Sequence, residues 1–242
     1  MIVQKAGFTR ESIQLTLLSV KALGGITKEK LMADVFSKNQ ATNAEDAAKI
    51  VPRAEFRAFG QGLIDEVTVA MWKAKATLFK IRTSSETYFL SRKTNEANVK
   101  VRDGLLDIKT KVGDTEDGYE IFQPRGKFEF PVGKKEVATI LENMLVEADL
   151  NQETYTIDEF MTVVENHPDL AAVSVEKKRY GFSVDGVICE YGEVLFNGSK
   201  IETACCESED YVGMKKAIEA LELGNHENVN YLKAAKISIG MK

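Results

Sequence analysis

Residues 98–109 read NVKVRDGLLDIK, and the architecture of the chain follows from how this stretch alternates. Side chains two positions apart on a strand point to the same face, so Lys100 and Arg102 share one face and two valines lie opposite. Asp103-Gly104 is a dipeptide that favours a two-residue hairpin turn, and Lys109 lies on the strand that returns from it. The stretch therefore predicts two antiparallel strands with cations gathered on one face.

Similar patterns extend in both directions along the chain. The first fifty residues predict short helices, the last of which starts at the capping-box spacing of residues 42–45 and runs to Ile50. From Arg53 onward the periodicity predicts, in order, a strand over 53–59, a helix over 63–74, strands between 77 and 130, helices over 133–148 and 156–166, three hairpin-linked strands over 171–207, a helix over 211–223 and a closing segment over 228–239. We therefore expect a helical N-terminal extension, residues 1–52, and a main domain, residues 53–242, of the α+β class with a mostly antiparallel sheet.

Composition and charge argue against several classes of protein. Hydrophobic residues make up 44% and charged residues 29% of the 242 residues, and the net charge of −5 argues against a protein that coats nucleic acid. The cysteines (Cys189, Cys205, Cys206) form no CxxC pair and the two histidines (His167, His226) lie far apart, so neither a zinc site nor histidine-assisted nucleophilic catalysis is supported. The sequence lacks a long apolar run and a signal-peptide pattern, so we expect a cytoplasmic protein with no membrane span.

Paired charges recur on five predicted strands and are mostly cationic. They are Arg53, Glu55 and Arg57; Lys100 and Arg102; Asp107, Lys109 and Lys111; Arg125, Lys127 and Glu129; and Lys177 and Arg179. One interpretation is a sheet whose polar face meets water, where such alternation is routine. The other is a sheet that closes with its polar face inward. A lumen rich in Lys and Arg would be repulsive when empty, and a triphosphate with a divalent ion is a small polyanion that would balance it.

Two stretches, residues 86–90 (ETYFL) and NVKVRDGLLDIK, resemble the triphosphate tunnel, or CYTH, family. The resemblance extends over residues 53–223 through the order of the strands, the helices and the later K-x-R pair. It implies a closed antiparallel β-barrel with covering helices around a charged triphosphate tunnel. The family includes class IV adenylyl cyclases, thiamine triphosphatases, inorganic triphosphatases and RNA triphosphatases.

The resemblance also implies roles for particular residues. It implies catalytic roles for Lys100, Arg102, Lys109 and Arg125, substrate binding by Arg57, Lys127, Lys177 and Arg179, and metal binding by Glu55, Glu129, Glu190 and Glu207. The sequence departs from the family where the opening motif E-x-E-x-K reads Arg53-Ala54-Glu55-Phe56-Arg57, and where Lys127 replaces a common acidic residue. Losing one carboxylate and gaining a cation bears on metal-dependent catalysis more than on phosphate binding.

The resemblance and the charged strands together lead to three functional hypotheses. The first is a phosphohydrolase that uses Mg²⁺ or Mn²⁺ on inorganic triphosphate, thiamine triphosphate, a nucleotide or an RNA 5′ end. The second, suggested by Arg53, is a polyphosphate- or nucleotide-binding protein without catalysis. The third is an interaction module with an exposed basic sheet; adenylyl cyclase activity rests on analogy alone.

Overall fold

The computed structural model describes residues 41–242. The predicted short helix is present as α1 (Ala44–Ala48), but its N-cap is Asn43, whose side chain accepts a hydrogen bond from the backbone N–H of Asp46. Thr42 instead pairs with Lys127 in an isolated β-bridge. The helices predicted earlier in the chain lie outside the described residues.

Eight strands form a closed antiparallel barrel in the order β1-β10-β9-β8-β2-β3-β4-β5, and β5 pairs with β1 to complete the ring. The strands are β1 (Arg53–Gly60), β2 (Thr77–Ser91), β3 (Thr94–Arg102), β4 (Leu105–Asp114), β5 (Glu120–Glu129), β8 (Leu170–Val184), β9 (Val187–Phe196) and β10 (Ser199–Ser208). A separate small sheet pairs β6 (Val132–Gly133) with β7 (Thr154–Tyr155). The expected α+β fold around a closed antiparallel barrel is confirmed.

The predicted hairpin turns join β3 to β4, β8 to β9, and β9 to β10. Asp103-Gly104, Asp185-Gly186 and Asn197-Gly198 all have positive φ at both positions, from 47° to 86°. This is the conformation of the tight turns whose twist matches that of the flanking strands, and Asn-Gly and Asp-Gly favour it because both residues tolerate positive φ. The local sequence therefore fixes three of the strand pairings.

Helices cover the apolar outer face of the barrel. They are α2 (Leu63–Lys73), α3 (Lys134–Asn143), α4 (Ile157–Asn166) and α5 (Tyr211–Ala220), with a short 3₁₀ helix at Leu223–Asn225; a further helix, α6 (Tyr231–Ser238), follows them in the chain. Phe56 and Cys206 pack beneath α2 and α5, and Val99 and Ile108 pack beneath α3 and α4. Because alternate side chains on a strand point to opposite faces, the charged residues between these apolar positions face the bore. None of the described helices is long and apolar enough to cross a membrane.

The last helix, α6, closes one end of the bore. Tyr231 and Leu232 of this helix pack against Tyr88, Val175 and Phe196, which lie on the inner face of β2, β8 and β9. The β1–β5 seam beside it is only three residue pairs long. Beyond the seam, the C-terminal segment takes over the pairing of β1, because the Arg57 backbone N–H donates to Asn228 Oδ1 and its carbonyl accepts from the backbone N–H of Val229.

Candidate functional site

A fully buried carboxylate, Glu86, lies among the cations that face the bore. Its Oε2 lies 3.0 Å from Lys177 Nζ and 3.2 Å from Lys100 Nζ, and its Oε1 accepts a hydrogen bond from Ser84 Oγ. Arg102 lies further away, with Nη1 3.9 Å from Oε1. Burial alone would raise the pKa of Glu86, but the ammonium groups of Lys100 and Lys177 outweigh it and lower this pKa well below its ordinary value. The inner face therefore carries its own counter-ion, which corrects the expectation of a lumen that repels itself when empty.

Lys177 donates two hydrogen bonds to protein oxygens and lies against an aromatic ring. Its Nζ donates to Glu86 Oε2 and to Tyr88 Oη at 2.9 Å, and it lies 4.0 Å from the centre of the Tyr231 ring. Lys100 shares the same two oxygen partners and donates to Tyr88 Oη at 3.3 Å. Burial, followed by the charge of Lys100, lowers the pKa of Lys177 well below its ordinary value even though Glu86 opposes this. Lys177 is therefore held within the protein network.

Arg57 connects this network to one carboxylate on its own strand, β1, and to another on β9. Its Nε donates to Glu55 Oε1 at 2.6 Å, and its Nη1 lies 3.9 Å from Glu190 Oε1. The guanidinium carbon lies 4.4 Å from the centre of the Tyr231 ring, within the range of a cation–π contact. Tyr231 thus contacts cations from two different strands, because Lys177 lies on β8.

Two further arginines, Arg102 and Arg179, are only partly satisfied. Arg102 Nη2 donates to Asp107 Oδ2 at 3.3 Å, and Arg179 lies 3.5 Å from Glu190 and donates to Ser84 Oγ. The Nε atoms of both arginines are buried and have no hydrogen-bond partner among the described residues. A buried donor without an acceptor is costly, most of all when the group is charged. These two N–H groups are therefore unsatisfied donors on strands that line the bore.

Glu55 and Glu207 form a pair of carboxylates closer to solvent. They are direct cross-strand partners, and about a third of each side chain is exposed, 32% and 34%, compared with none for Glu86. Burial raises the pKa of Glu207 and the charge of Glu55 adds to this, whereas Lys109 and Arg53 oppose it. Arg53 Nη1 lies 3.7 Å from Glu207. Two adjacent carboxylates that repel each other are suited to share one cation.

The structure brings most of the predicted site residues together on the inner face. These are Glu55, Arg57, Lys100, Arg102, Lys109, Lys177, Arg179, Glu190 and Glu207. Lys127 joins them as the strand partner of Asp107. Burial lowers the pKa of Lys127, and the charges of Arg102 and Lys109 add to this, although the charge of Asp107 opposes it.

Two predicted residues lie outside this cluster. Arg125 was expected to share a face with Lys127, but the register of β4 and β5 shifts here: Gly126 opposes Ile108 and Pro124 opposes Lys109. Arg125 is therefore the unpaired bulge residue, is exposed, and donates through Nε to Thr110 Oγ1 at 2.6 Å. Glu129 is exposed at the end of β5 and forms no ion pair within residues 41–242.

Sequence reasoning missed several residues that contribute to the inner face. Besides Glu86, Tyr88 and Tyr231, they include Arg82, the strand partner of Arg179. Burial, followed by the charges of Arg179 and Arg102, lowers the pKa of Arg82. Residues 82, 84, 86 and 88 alternate along β2, so extending the period of two through this strand would have found three of them. Tyr231 lies on a helix and carries no such signal.

The barrel resembles several solved structures. A conserved hypothetical protein from Pyrococcus furiosus is 15% identical over 74% of this chain and 98% of its own, with a TM-score of 0.45. A Bacillus halodurans protein provisionally assigned as an adenylate cyclase is 10% identical over 75% of this chain and 96% of its own, with a TM-score of 0.43. A Hippeastrum protein, provisionally an adenylyl cyclase and described as having a dominant triphosphatase activity, is 14% identical over 80% of this chain and 97% of its own, with a TM-score of 0.44. No family model and no curated protein matches the chain.

Proposed function

We propose that this protein binds a triphosphate-bearing small molecule in the barrel bore and hydrolyses it with the help of Mg²⁺ or Mn²⁺. The observation that carries the proposal is the pair of buried, unpartnered Nε–H groups of Arg102 and Arg179. Guanidinium groups donate to phosphoryl oxygens in a planar geometry that carboxylates and phosphates match best. A phosphate chain between these arginines would supply the acceptors that the protein itself does not.

The chain's own residues would act mainly by holding charge in fixed positions. Arg57, Arg102 and Arg179 would spread the negative charge of the phosphoryl oxygens, which grows as the terminal group departs, and Lys109 would add a cation closer to solvent. Water would attack the terminal phosphoryl group. Catalysis of phosphoryl transfer depends chiefly on such positioning and electrostatic stabilisation, because the transition state needs little covalent help from the protein.

The carboxylates at Glu55 and Glu207 fit one divalent cation. Magnesium commonly binds one or two carboxylates together with substrate phosphates and water, and these two side chains are adjacent and repel each other. The described residues hold no group of three or more His, Cys, Asp or Glu side chains arranged as a metal site, so substrate oxygens would have to complete the coordination. When bound, the ion would supply charge neutralisation for the phosphate chain.

A second candidate, a polyphosphate-binding protein without catalysis, is favoured by one contact pattern. Arg57 already contacts Glu55 and Arg53 already contacts Glu207, so each carboxylate has a cationic partner without any metal. This arrangement would let a polyanion bind to the arginines while the carboxylates stay paired. It predicts binding that survives EDTA and is weakened by salt.

Two measurements test both candidates: the release of phosphate and the thermal shift of the protein. Each is made with tripolyphosphate, thiamine triphosphate, ATP or 5′-triphosphorylated RNA, in the presence of Mg²⁺, Mn²⁺ or EDTA. Metal-dependent phosphate release supports the first, and metal-independent stabilisation without turnover supports the second. Arg179→Gln should weaken binding about tenfold or more, since a charged hydrogen bond contributes roughly 1.5–3 kcal/mol, while its exposed neighbour Lys178→Gln should have no effect. If no compound stabilises the protein, both candidates are overturned.

A further inference from the structure

We propose that Glu86 is a positioning residue of the bore, which holds the ammonium groups of Lys100 and Lys177 at one point and keeps Lys177 protonated, so that the net positive charge of the cluster acts on the bound polyanion. The inference rests on the proposed function, because it concerns how the same bore holds a polyphosphate. It assigns to Glu86 a task other than metal binding or contact with substrate.

The geometry points to one carboxylate serving two ammonium groups. Both lysine Nζ atoms lie within 3.2 Å of the same atom, Glu86 Oε2, and both donate to Tyr88 Oη. With both lysines protonated, the two ammonium groups and the one carboxylate leave a net charge of about +1. Tyr88 lies two residues from Glu86 on the same face of β2, so one strand supplies both anchors. The lysines are therefore held at a common point.

Without Glu86, Lys177 would lose the one carboxylate that pairs with its ammonium group within residues 41–242. An ammonium group buried without a counter-ion tends to lose its proton, and a second ammonium nearby makes this easier. Lys177 is deeply buried, since only 2% of its side chain is exposed. Besides Glu86 and Lys100 it is close to Tyr88, the Tyr231 ring and the positive charge of Arg179, none of which is negative at neutral pH. Removing Glu86 should therefore make Lys177 neutral at a lower pH than in the wild-type protein.

The burial of Glu86 distinguishes this role from those of the other carboxylates. Glu86 has no exposed side-chain surface, whereas Glu55 and Glu207 are about one third exposed. A group buried this deeply behind two lysines is poorly placed to exchange partners with a ligand. Its ion pairs belong to the permanent structure, so we assign it to positioning and not to competition with the polyanion.

Calorimetric titration with tripolyphosphate between pH 6 and pH 9 tests the inference. As the pH rises, the affinity of Glu86→Gln for tripolyphosphate should begin to fall at a pH at least about one unit lower than the affinity of the wild-type protein does. The affinity should then fall by up to about tenfold per pH unit, which is the limit for one linked proton. Glu86→Asp, which keeps the charge, should lie between the two. The matched control is Glu176→Gln, an exposed carboxylate on β8 next to Lys177, and it should follow wild type.

Several results would overturn the inference. The first is an unchanged pH profile of affinity in Glu86→Gln. The second is tighter binding by that variant at every pH, which would show that Glu86 competes with the polyanion. The third is a Glu86→Asp variant whose pH profile is no closer to wild type than that of Glu86→Gln. If Glu86→Gln does not fold, the double variant E86Q/K177M removes both charges at once, and it should bind more weakly than wild type but without the early loss of affinity. An early loss in the double variant would contradict the role assigned to Lys177.

Failure of the proposed function has a separate signature. In that case the wild-type protein does not bind tripolyphosphate, with or without Mg²⁺. The lysine pKa values can then be measured by NMR in the ligand-free protein, comparing wild type with Glu86→Gln or, if needed, Glu86→Asp. A lower Lys177 pKa in the variant would support the positioning role by itself, and an unchanged pKa would overturn it.

Discussion

Replacing Tyr231 with alanine should destabilise the protein strongly, because this side chain fills the closed end of the bore. The residue is 7% exposed, packs edge-on against Phe59 at 5.3 Å and lies 5.7 Å from Tyr88 between ring centres. Truncating a buried aromatic residue to alanine costs about 3–5 kcal/mol. Lost cation–π contacts with Arg57 and Lys177 add roughly 0.5–2 kcal/mol each. We therefore expect a loss of about 4 kcal/mol or more in the free energy of unfolding.

Urea denaturation of three variants measures this loss and assigns its cause. Tyr231→Phe keeps the ring and removes only a hydroxyl 3.5 Å from Arg57 Nη1, so it should cost about 1 kcal/mol or less. Ile237→Ala, on the same helix but 75% exposed, should cost less than about 0.5 kcal/mol. A loss below about 1.5 kcal/mol for Tyr231→Ala, or an equal loss for Ile237→Ala, would refute the reasoning that α6 closes the bore through this ring.

Three further outcomes are expected. Gly192→Ala should cost about 1–3 kcal/mol in urea denaturation because an added Cβ would lie 2.3 Å from a backbone carbonyl oxygen of β8, whereas Gly60→Ala, with nothing within 4 Å, should be tolerated. The pKa of Glu86 is lower in the folded than in the unfolded protein. The ionised carboxylate therefore stabilises the folded state fully above the unfolded pKa, and this contribution is lost as the pH falls. Urea titrations should show that wild type loses stability below about pH 4 more steeply than Glu86→Gln does. Joint replacement of Glu55 and Glu207 by glutamine should remove the Mg²⁺ dependence of the tripolyphosphate thermal shift, and an unchanged dependence would place the metal elsewhere.

Local signals in the sequence predict much of the fold, but they do not predict contacts between segments that lie far apart in the chain. Asp103-Gly104 and the two later turn dipeptides determine hairpins within a few residues, so the pairing of β3 with β4 and of β8 with β9 and β10 follows directly. The seam between β1 and β5 joins residues 65 to 69 positions apart in the sequence, and it is completed by residues 228 and 229 near the other end of the chain. No short-range pattern encodes that contact. The charged strands allow an inward-closing sheet as one of two interpretations, and only the family resemblance implies a closed barrel.

The candidate site was predictable where the period of two holds and unpredictable where it breaks. Lys100 and Lys177 were found because they lie in regular strands. Arg125 was misplaced because it forms a β-bulge, although its neighbours Pro124 and Gly126 are residues that disfavour a regular ladder and often mark such a break. Glu86 carries no paired-charge signal, because it is a single carboxylate on a strand and its cationic partners Lys100 and Lys177 lie on two other strands.

The charge balance of the bore bears on how substrate and metal would bind. The inner face presents cations at Arg57, Arg102 and Arg179 but also keeps carboxylates at Glu55 and Glu207, so a bare polyanion would be attracted by one set and repelled by the other. A triphosphate that carries a divalent cation satisfies both sets, because its oxygens meet the guanidinium groups while the ion meets the carboxylates. Under the proposed function, metal and substrate should therefore strengthen each other's binding, and by linkage the effect must be equal in both directions.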